Sequence, residues 1–397
     1  MNLRREGRRV FQFCQIDFDL ARRRRSQGSV TIRRRVIALG CCAISSNASR
    51  LAPRIFAYTV YFVIAAVHFK NFKALRSAAV RLAPFNLLIG PSGSGKTSLI
   101  EALLRIRALS ALPVIHAHEL KHQITDGPEI DFYFNPPFND VRVTLGCNAN
   151  EVVCNLLVVD HPPGIAGAGK WGELRTRLQS IRAFLFDHRA MGAAASSKDG
   201  AELSSNGGNL AAVLAARHQD APASFAALEA DFVRIMPEFS GLDFRPAGLD
   251  RVELLAPLAD GSDVLVAENL SQGTLYLLAM LTLAHAPEPP TIVCLEEADR
   301  GVHPRLLREV RDALYRLSYP LAGEGERSPV QVIATTHSPY LLDLFRDHPE
   351  EVVLASKQGN AATFECLAER SDILELMKES NLGDLWYSGI LGGVPAE

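Results

Sequence analysis

Short apolar runs and segments with helical periodicity alternate in two separate stretches of the chain. Residues 85–89 form a mostly apolar run that predicts a buried strand, and the apolar positions of 97–109 recur at helical spacing. From Ser271 onward the order is helix, strand, helix, strand, with strands at 291–295 and 330–335. This alternation is typical of an α/β fold with a parallel sheet.

The chain between these two stretches predicts a different structure. Short strands split by proline and asparagine indicate an antiparallel β-lobe, followed by a helical insert. In chain order we expect strands at 131–134, 141–145 and 151–159, a loop at 161–170, a helix at 171–186, a mobile Gly/Ser-rich connection at 193–208 and a helix at 210–236. The predicted core halves are thus about 58–110 and 265–360, with an inserted lobe at 111–264 and a C-terminal cap at 361–397.

Charge is distributed unevenly along the chain. Residues 1–54 hold 13 arginines and three acidic residues, although the net charge of the whole chain is −2. A nucleic-acid-binding arm, a targeting peptide and a disordered or non-native extension all fit such a segment. We favour the extension, for residues 1–57, because the first strand pattern begins only at 55–67. We expect the ATPase activity argued below to survive deletion of residues 1–54.

Two further observations bear on the compartment. The apolar run 55–67 is too short for a membrane span, which needs roughly 20 residues, and we interpret it as a strand entering the core. The seven cysteines include no C-x-x-C pair and indicate neither a zinc site nor a disulfide framework. A reducing cytoplasm fits both observations.

One glycine-rich segment indicates which kind of ligand the protein binds. The residues after the first predicted strand match the phosphate-binding pattern G-x-x-x-x-G-K-[ST] without a mismatch. Backbone N–H groups of such a loop surround an anion, and the following helix adds the partial positive charge of its N-terminus. The predicted site for a nucleoside triphosphate with Mg²⁺ comprises Gly90, Pro91, Ser92, Gly93, Ser94, Gly95, Lys96 and Thr97, with Ser98 beside them. Lys96 would reach the β- and γ-phosphates, and Thr97 would offer its hydroxyl to Mg²⁺.

Two adjacent carboxylates end the strand at 291–295. In P-loop enzymes one such acid supports the Mg²⁺ shell and another can deprotonate the attacking water. Many strands end in acidic residues, so the pair alone is only moderate evidence. Together with the upstream P-loop it makes Glu296 and Glu297 candidates for these two roles.

Two more features have a functional and an ordinary explanation. His337, at the end of the strand 330–335, could hydrogen-bond a γ-phosphate or the attacking water. It could equally be an exposed residue before a helix capped by Ser338. Ser271 and the backbone N–H of Gly273 form a second anion-binding helix terminus, or simply the N-cap of a core helix.

The order of these motifs resembles one family. The chain resembles the ABC-type ATPase heads of the RecF/SMC/Old-like group, within the AAA-type core ATPases of prokaryotes. The resemblance rests on the kind and order of four motifs: the P-loop, Leu-Ser-x-Gly, the strand that ends in Glu-Glu, and Thr-Thr-His-Ser-Pro. The resemblance covers roughly residues 60–397. Three further matching pieces are Val302-His303-Pro304, the segment 206–211 with its Gly-x-Asn-Leu character, and the end piece 382–389.

The resemblance implies an ATPase mechanism with ATP and Mg²⁺. Two heads would enclose two ATP molecules, so that Ser271 and Gly273 of one subunit contact the γ-phosphate held by the P-loop of the other. Glu297 would be the general base, Glu296 would support Mg²⁺ together with Thr97, and His337 would sense the γ-phosphate. Hydrolysis would reopen the dimer.

This sequence departs from the family pattern at the acidic strand end. Many ABC heads carry Asp where Glu296 stands, and the usual Glu-Glu-Pro-Glu is here Glu-Glu-Ala-Asp, followed by Arg300. The departure concerns the detail of the dimer-contact loop. The Q-loop glutamine has no clear equivalent, and Gln123 is a candidate by position alone.

Three functions are compatible with such an ATPase. The first is an ATPase in DNA repair or phage defence, which works with a separately encoded effector protein and with nucleic acid as an additional candidate partner. The second is an ATP-gated protein-binding module with slow turnover. The third, an ATPase subunit of a transporter, is disfavoured because no segment of the sequence is long enough to span a membrane.

Overall fold

The computed structural model describes residues 62–112, 115–116, 127–148, 153–320, 327–359 and 361–392. The predicted extension 1–57, the first part of the strand predicted within 55–67, and Gln123 lie outside these residues. Within them the strands are β1 (Ile64–Phe72), β2 (Leu75–Arg81), β3 (Phe85–Ile89), β4 (Ile115–His116), β5 (Glu129–Phe134), β6 (Arg142–Asn148), β7 (Val153–Asp160), β8 (Ile181–Phe184), β9 (Ala195–Ser196), β10 (Asp243–Pro246), β11 (Arg251–Pro257), β12 (Val264–Val266), β13 (Ile292–Leu295), β14 (Gln331–Thr336), β15 (Val352–Gln358) and β16 (Ala361–Cys366). The α-helices are α1 (Lys96–Ser110), α2 (Ile165–Gln179), α3 (His188–Gly192), α4 (Leu210–Asp220), α5 (Pro222–Ile235), α6 (Gln272–Ala284), α7 (Leu307–Ser318), α8 (Pro339–Asp343), α9 (Ile373–Glu379) and α10 (Leu382–Tyr387).

The core sheet has six strands in the order β16-β15-β3-β14-β13-β8. Its strands from β15 to β8 run parallel, and β16 is antiparallel to β15. All five residues of β3 and all six of β14 are buried, as expected for parallel strands covered on both faces. The predicted α/β P-loop fold is confirmed.

The two faces of the core sheet belong to different hydrophobic clusters. In β3, Leu87 and Ile89 join the cluster that contains α6 and α7, whereas Leu88 joins the cluster that contains α1 and α2. The alternation follows from the two-residue period of a strand. Because β3 is fixed on both faces, the glycine-rich loop that follows it starts from a rigid support.

A second six-stranded sheet, in the order β2-β1-β5-β6-β7-β4, contains the predicted β-lobe. Its pairs are antiparallel except for β4 with β7. Burial alternates along β5, so one face of this sheet packs on the cluster of α1. Strands β1 and β2, which the prediction placed in the first core half, belong to this sheet. A third, smaller sheet joins β9, β10, β11 and β12.

The predicted loop at 161–170 and helix at 171–186 are wrong in their boundaries. Helix α2 begins at Ile165, directly after Gly164, which has a positive φ of 97°. The helix ends at Gln179, and the four residues of β8 then pair in parallel with β13. Four residues are too few for periodicity to separate strand from helix, and the pairing with β13 decides the outcome. The predicted insert 111–264 therefore contains one strand of the core sheet.

The helix predicted at 210–236 is two helices. Ala221 leaves the helical region (φ −138°, ψ 61°), and Pro222 starts α5 at a position where its missing N–H costs nothing. The Gly/Ser-rich connection 193–208 contains β9 and is tied down by hydrogen bonds. Asn209 accepts a hydrogen bond from the backbone N–H of Ser204 at 2.8 Å, and Leu185 donates its N–H to the carbonyl of Ser205 at 2.9 Å.

The cysteine prediction is also wrong at one pair. Cys147 and Cys154 are joined by a disulfide between β6 and β7, where the two residues face each other in the register. Sequence spacing alone does not reveal such a pair, because antiparallel pairing brings the two residues together. Cys294 and Cys366 are free thiols. Among the helices of the described residues, none has the length and apolar character that crossing a bilayer requires.

Candidate nucleotide site

The predicted phosphate-binding loop joins β3 to α1, the strand-turn-helix arrangement that the chemistry requires. Gly93 and Gly95 adopt positive φ angles of 76° and 95°, which L-residues with a side chain rarely adopt. A Cβ at Gly90 would lie 2.1 Å from the carbonyl oxygen of Ala355, so only glycine fits there. The loop thus curls tightly at the N-terminus of α1, where an anion is favoured.

The side chain of Lys96 is buried under this loop, although lysine side chains are usually exposed. Its Nζ donates hydrogen bonds to the carbonyl oxygens of Gly90 at 2.6 Å and of Pro91 at 3.0 Å. Burial lowers the pKa of Lys96 to about 8, and the negative charge of Glu297 opposes that shift. Within the part of the chain that the structure describes, the buried hydroxyl of Ser94 has no hydrogen-bond partner. A cation and a free hydroxyl inside a glycine cradle suit a phosphate group.

The predicted magnesium residues are brought together. Thr97 donates its hydroxyl hydrogen to the Oε2 atom of Glu296 over 3.1 Å, although 199 positions separate them in sequence. The backbone N–H of Glu296 donates to the carbonyl of Phe184 in β8, which fixes the strand end. No group of three or more metal-binding side chains occurs among the described residues. A cation here would therefore need oxygen atoms from a nucleotide in addition to Thr97 and Glu296, as Mg²⁺ sites of this kind use.

Glu297 has an unusual backbone. Its φ is 52°, in the left-handed region, and its N–H donates to the Oγ1 atom of Thr335 at 3.0 Å. A non-glycine residue in this region costs free energy and persists where the surroundings hold it. Its carboxylate is 49% exposed and lies 3.6 Å from the guanidinium of Arg300. Glu296 instead accepts a hydrogen bond from Thr97, so the two adjacent acids have different partners.

His337 follows β14 directly and lines the same cleft. Burial, followed by the positive charge of Lys96, lowers its pKa, whereas Asp299 and Glu297 act in the opposite direction. A lowered pKa keeps the imidazole neutral near pH 7, so one ring nitrogen can donate and the other can accept. The neighbouring Thr336 donates its hydroxyl hydrogen to Asp299, which connects the two strand ends.

These residues surround one cleft of about 410 Å³. Its lining includes the predicted Lys96, Thr97, Glu296, Glu297 and His337. The predicted Ser92, Gly93, Gly95 and Ser98 also line the cleft. Lys73, Ala74 and Thr335 line it as well and were not predicted from the sequence. Thr335 stands in the Thr-Thr-His segment and could have been noted there, whereas Lys73 lies in the β1–β2 turn and has no sequence signal.

Ser271 and Gly273 lie apart from this cleft and are absent from its lining. Ser271 caps α6 by accepting a hydrogen bond from the N–H of Thr274 at 3.1 Å. Gly273 is buried, and a Cβ there would lie 2.9 Å from the carbonyl oxygen of Gly301. Ser271 is exposed at this helix terminus.

Comparison with known proteins finds a match to one family model over part of the chain. A family model described as "AAA domain, putative AbiEii toxin, Type IV TA system" matches residues 171–343. This range includes Glu296, Glu297 and His337 and begins after the P-loop. No curated protein matches the chain in sequence.

Among solved structures, heads of Smc proteins are similar to this chain, and one of them reaches a TM-score of 0.50. An Smc head bound to the C-terminal winged-helix domain of ScpA is 13% identical with a TM-score of 0.50, over 77% of this chain and 97% of that one. The SMC head domain from Thermotoga maritima is 14% identical with a TM-score of 0.42, over 76% of this chain and 98% of the other. At such identities the likeness to the first head concerns the fold alone.

Proposed function

We propose that this chain is an ABC-type P-loop ATPase of the RecF/SMC group. As such it binds ATP and hydrolyses it to ADP and phosphate. The observation that supports this proposal is the cleft itself. Three distant segments, 92–98, 296–297 and 335–337, place an ammonium group, a hydroxyl–carboxylate pair, a second carboxylate and a histidine around one space.

Each residue has a defined part in the reaction. The P-loop amides and Lys96 bind the phosphates, and Lys96 leaves the carbonyls of Gly90 and Pro91 to do so. Thr97 and Glu296 would hold Mg²⁺, which neutralises charge on the phosphate oxygens. Glu297 accepts a proton from the water whose oxygen attacks the γ-phosphorus, and the bond to the β-phosphate oxygen breaks. His337 hydrogen-bonds the γ-phosphate.

The position of Ser271 supports a shared site. Because Ser271 and Gly273 lie outside the cleft of their own chain, they could contact a nucleotide only across an interface between two copies. A head-to-tail dimer would bring this helix end to the γ-phosphate bound by the partner. ATP is then a ligand that stabilises the closed dimer, and hydrolysis removes it.

The biological role that we favour is DNA repair or phage defence in the cytoplasm, with a separately encoded effector. The matching family's description, which includes a putative toxin of a type IV toxin–antitoxin system, supports defence. The Smc head structure with its bound ScpA domain provides a precedent for a head of this fold that holds another protein. The alternative is an ATP-gated binding module with slow turnover, and a transporter subunit is the least favoured.

ATP hydrolysis by the purified protein, measured alone and with double-stranded DNA, single-stranded DNA or RNA, tests this function. We expect Mg²⁺-dependent hydrolysis that one nucleic acid stimulates. Hydrolysis that ignores all three would favour the ATP-gated module. Absence of both ATP binding and hydrolysis would contradict the proposal as a whole.

A further inference from the structure

A second cavity, of about 280 Å³, lies where α6 ends and β8 begins. None of the residues that line the nucleotide cleft lines this cavity. Its walls come from β8, α4, the end of α6 and the segment 201–203. The cavity is thus a separate space, which the proposed ATPase chemistry does not use.

Arg217, at the end of α4, places a positive charge in the wall of this cavity. Its Nη1 donates to the carbonyl oxygen of Thr282 at 2.7 Å, the one hydrogen bond of this side chain within the described part of the chain. No carboxylate among the described residues forms an ion pair with it. Burial, followed by the positive charge of Arg327, lowers the pKa of Arg217 to about 10.

A half-buried cation without a counter-ion is unusual, because burying a charge is costly unless the charge is paired. The other cation of the cavity is different. Arg182 is bonded through Nε and Nη2 to the carboxylate of Glu202, so these two charges neutralise each other. Glu288 lies exposed among the lining residues. Among the lining residues Arg217 is therefore the less exposed charge that forms no ion pair within the described residues, and a single negative charge would match it.

The remaining walls are largely apolar. Phe184, Leu203, Val213, Leu283, Pro287 and Pro290 line the cavity. Burial of an apolar group against such side chains gives roughly 25 cal/mol for each Å² removed from water. A strongly hydrated inorganic anion could not use this surface, whereas an organic acid could.

We propose that this cavity binds a small organic monoanion, whose carboxylate pairs with Arg217 and whose apolar body lies against Phe184, Leu203 and Val213. The site is independent of the proposed ATPase function. It also lies at the C-terminal end of α6, the helix that begins beside Ser271. Thr282 of this helix already accepts a hydrogen bond from Arg217, so an occupant would contact the guanidinium that caps the helix end.

Isothermal titration with benzoate tests this site on the full chain. We expect saturable binding to the wild-type protein and to Lys96→Ala, whose substitution lies in the other cleft. Arg217→Gln should weaken benzoate binding by at least about tenfold, because a charged hydrogen-bonded pair is lost. Benzamide, which has the same shape without the charge, should bind at least about tenfold more weakly than benzoate to the wild type.

A second variant keeps the test valid if Arg217→Gln unfolds. Ala286→Trp leaves Arg217 in place and fills part of the cavity, so benzoate binding should be lost while the thermal unfolding transition remains. Inorganic phosphate should show no Arg217-dependent binding. The proposal is overturned by absence of saturable benzoate binding to the wild type, by equal affinity in Arg217→Gln or Ala286→Trp, or by equal affinity for benzamide.

Discussion

Lys96 is the residue in which charge and burial conflict most directly. Its ammonium group donates hydrogen bonds to the two carbonyls of Gly90 and Pro91, and burial lowers its pKa to about 8. Bound phosphates would raise that pKa again by their negative charge. The site is thus prepared for an anion at a cost to the ligand-free protein.

This conflict predicts opposite pH dependences for stability and for ATP binding. Between about pH 8 and the ordinary pKa of 10.5, the unfolded chain binds more protons at Lys96 than the folded chain. The contribution of Lys96 to the free energy of unfolding therefore rises with pH in this window. ATP affinity should fall over the same window, by up to about tenfold per pH unit, because only charged Lys96 binds phosphate.

Titration of ATP binding from pH 7 to 9.5, with thermal unfolding of the ligand-free protein at each pH, measures both effects. Lys96→Ala is the control: its affinity should be far lower and should lack this pH dependence. Wild-type affinity that stays constant up to pH 9.5 would contradict the assignment of Lys96.

A second prediction about a single residue concerns Glu297. Glu297→Gln keeps the size of the side chain and removes its ability to accept a proton, so the hydrolysis rate should fall by about 10²- to 10⁴-fold. ATP affinity should change little, because Glu297 is not a phosphate ligand in this account. Glu375→Gln, an exposed residue on α9, is the matched control and should keep wild-type turnover. Wild-type turnover in Glu297→Gln would remove it as the base.

Glu297→Gln also separates the two favoured functions. If the dimer and partner binding survive while the biological output is lost, turnover is essential to the output. If the output persists, the ATP-gated module is the better description.

The P-loop was predictable residue by residue because its chemistry is local in sequence. The pairing of Thr97 with Glu296 was predictable only from motif order, since 199 positions separate them. The left-handed backbone of Glu297 was not, because it depends on Thr335 at the end of a neighbouring strand. Residues that act through tertiary neighbours give no local signal.

Among the secondary-structure elements, the start of helix α2 can be tested directly by substitution. Sequence patterns predicted a loop up to residue 170, whereas the helix begins at Ile165. Gly169 and Gly167 both lie in the disputed part. A Cβ at Gly169 would meet nothing within 4 Å, whereas one at Gly167 would lie 1.8 Å from the carbonyl oxygen of Pro162.

Gly169→Ala should therefore raise the free energy of unfolding by about 0.5–1 kcal/mol, because alanine favours the helix. Gly167→Ala should lower it by on the order of 1–3 kcal/mol, because the backbone must shift. Denaturant unfolding of both variants measures the pair. Two near-zero changes would indicate that residues 165–169 are not helical.

Strand β8 and the Cys147–Cys154 disulfide show why other elements escaped prediction. The Ile-Arg-Ala-Phe run of β8 has no period of its own, and its state is set by β13. The two cysteines meet because β6 and β7 pair in one register. By contrast, β3 and β14 lie in mostly apolar runs that end in polar site residues, and they were predicted.

At the scale of the whole molecule, the chain order separates what the fold brings together. The P-loop follows β3, and His337 and Glu296 follow β14 and β13, the next two strands of the core sheet. Parallel strands end at the same edge, so the site forms there. Ser271 is the exception, and it motivates the proposal of a second copy.

Mixing two inactive variants tests that proposal. Lys96→Ala loses the P-loop of its own chain, and Ser271→Arg blocks the helix end that would serve a partner. In a mixed dimer one site carries both defects and the other carries neither, so hydrolysis should reappear on mixing. Ser271→Arg alone with wild-type turnover would show that the residue has no part in the reaction.

The most direct measurement is the mass in solution of Glu297→Gln with and without ATP and Mg²⁺, by sedimentation. We expect a monomer without nucleotide and a dimer with it, and we expect the double variant that also carries Lys96→Ala to stay monomeric. A variant that binds ATP yet stays monomeric at every protein concentration would contradict the shared site.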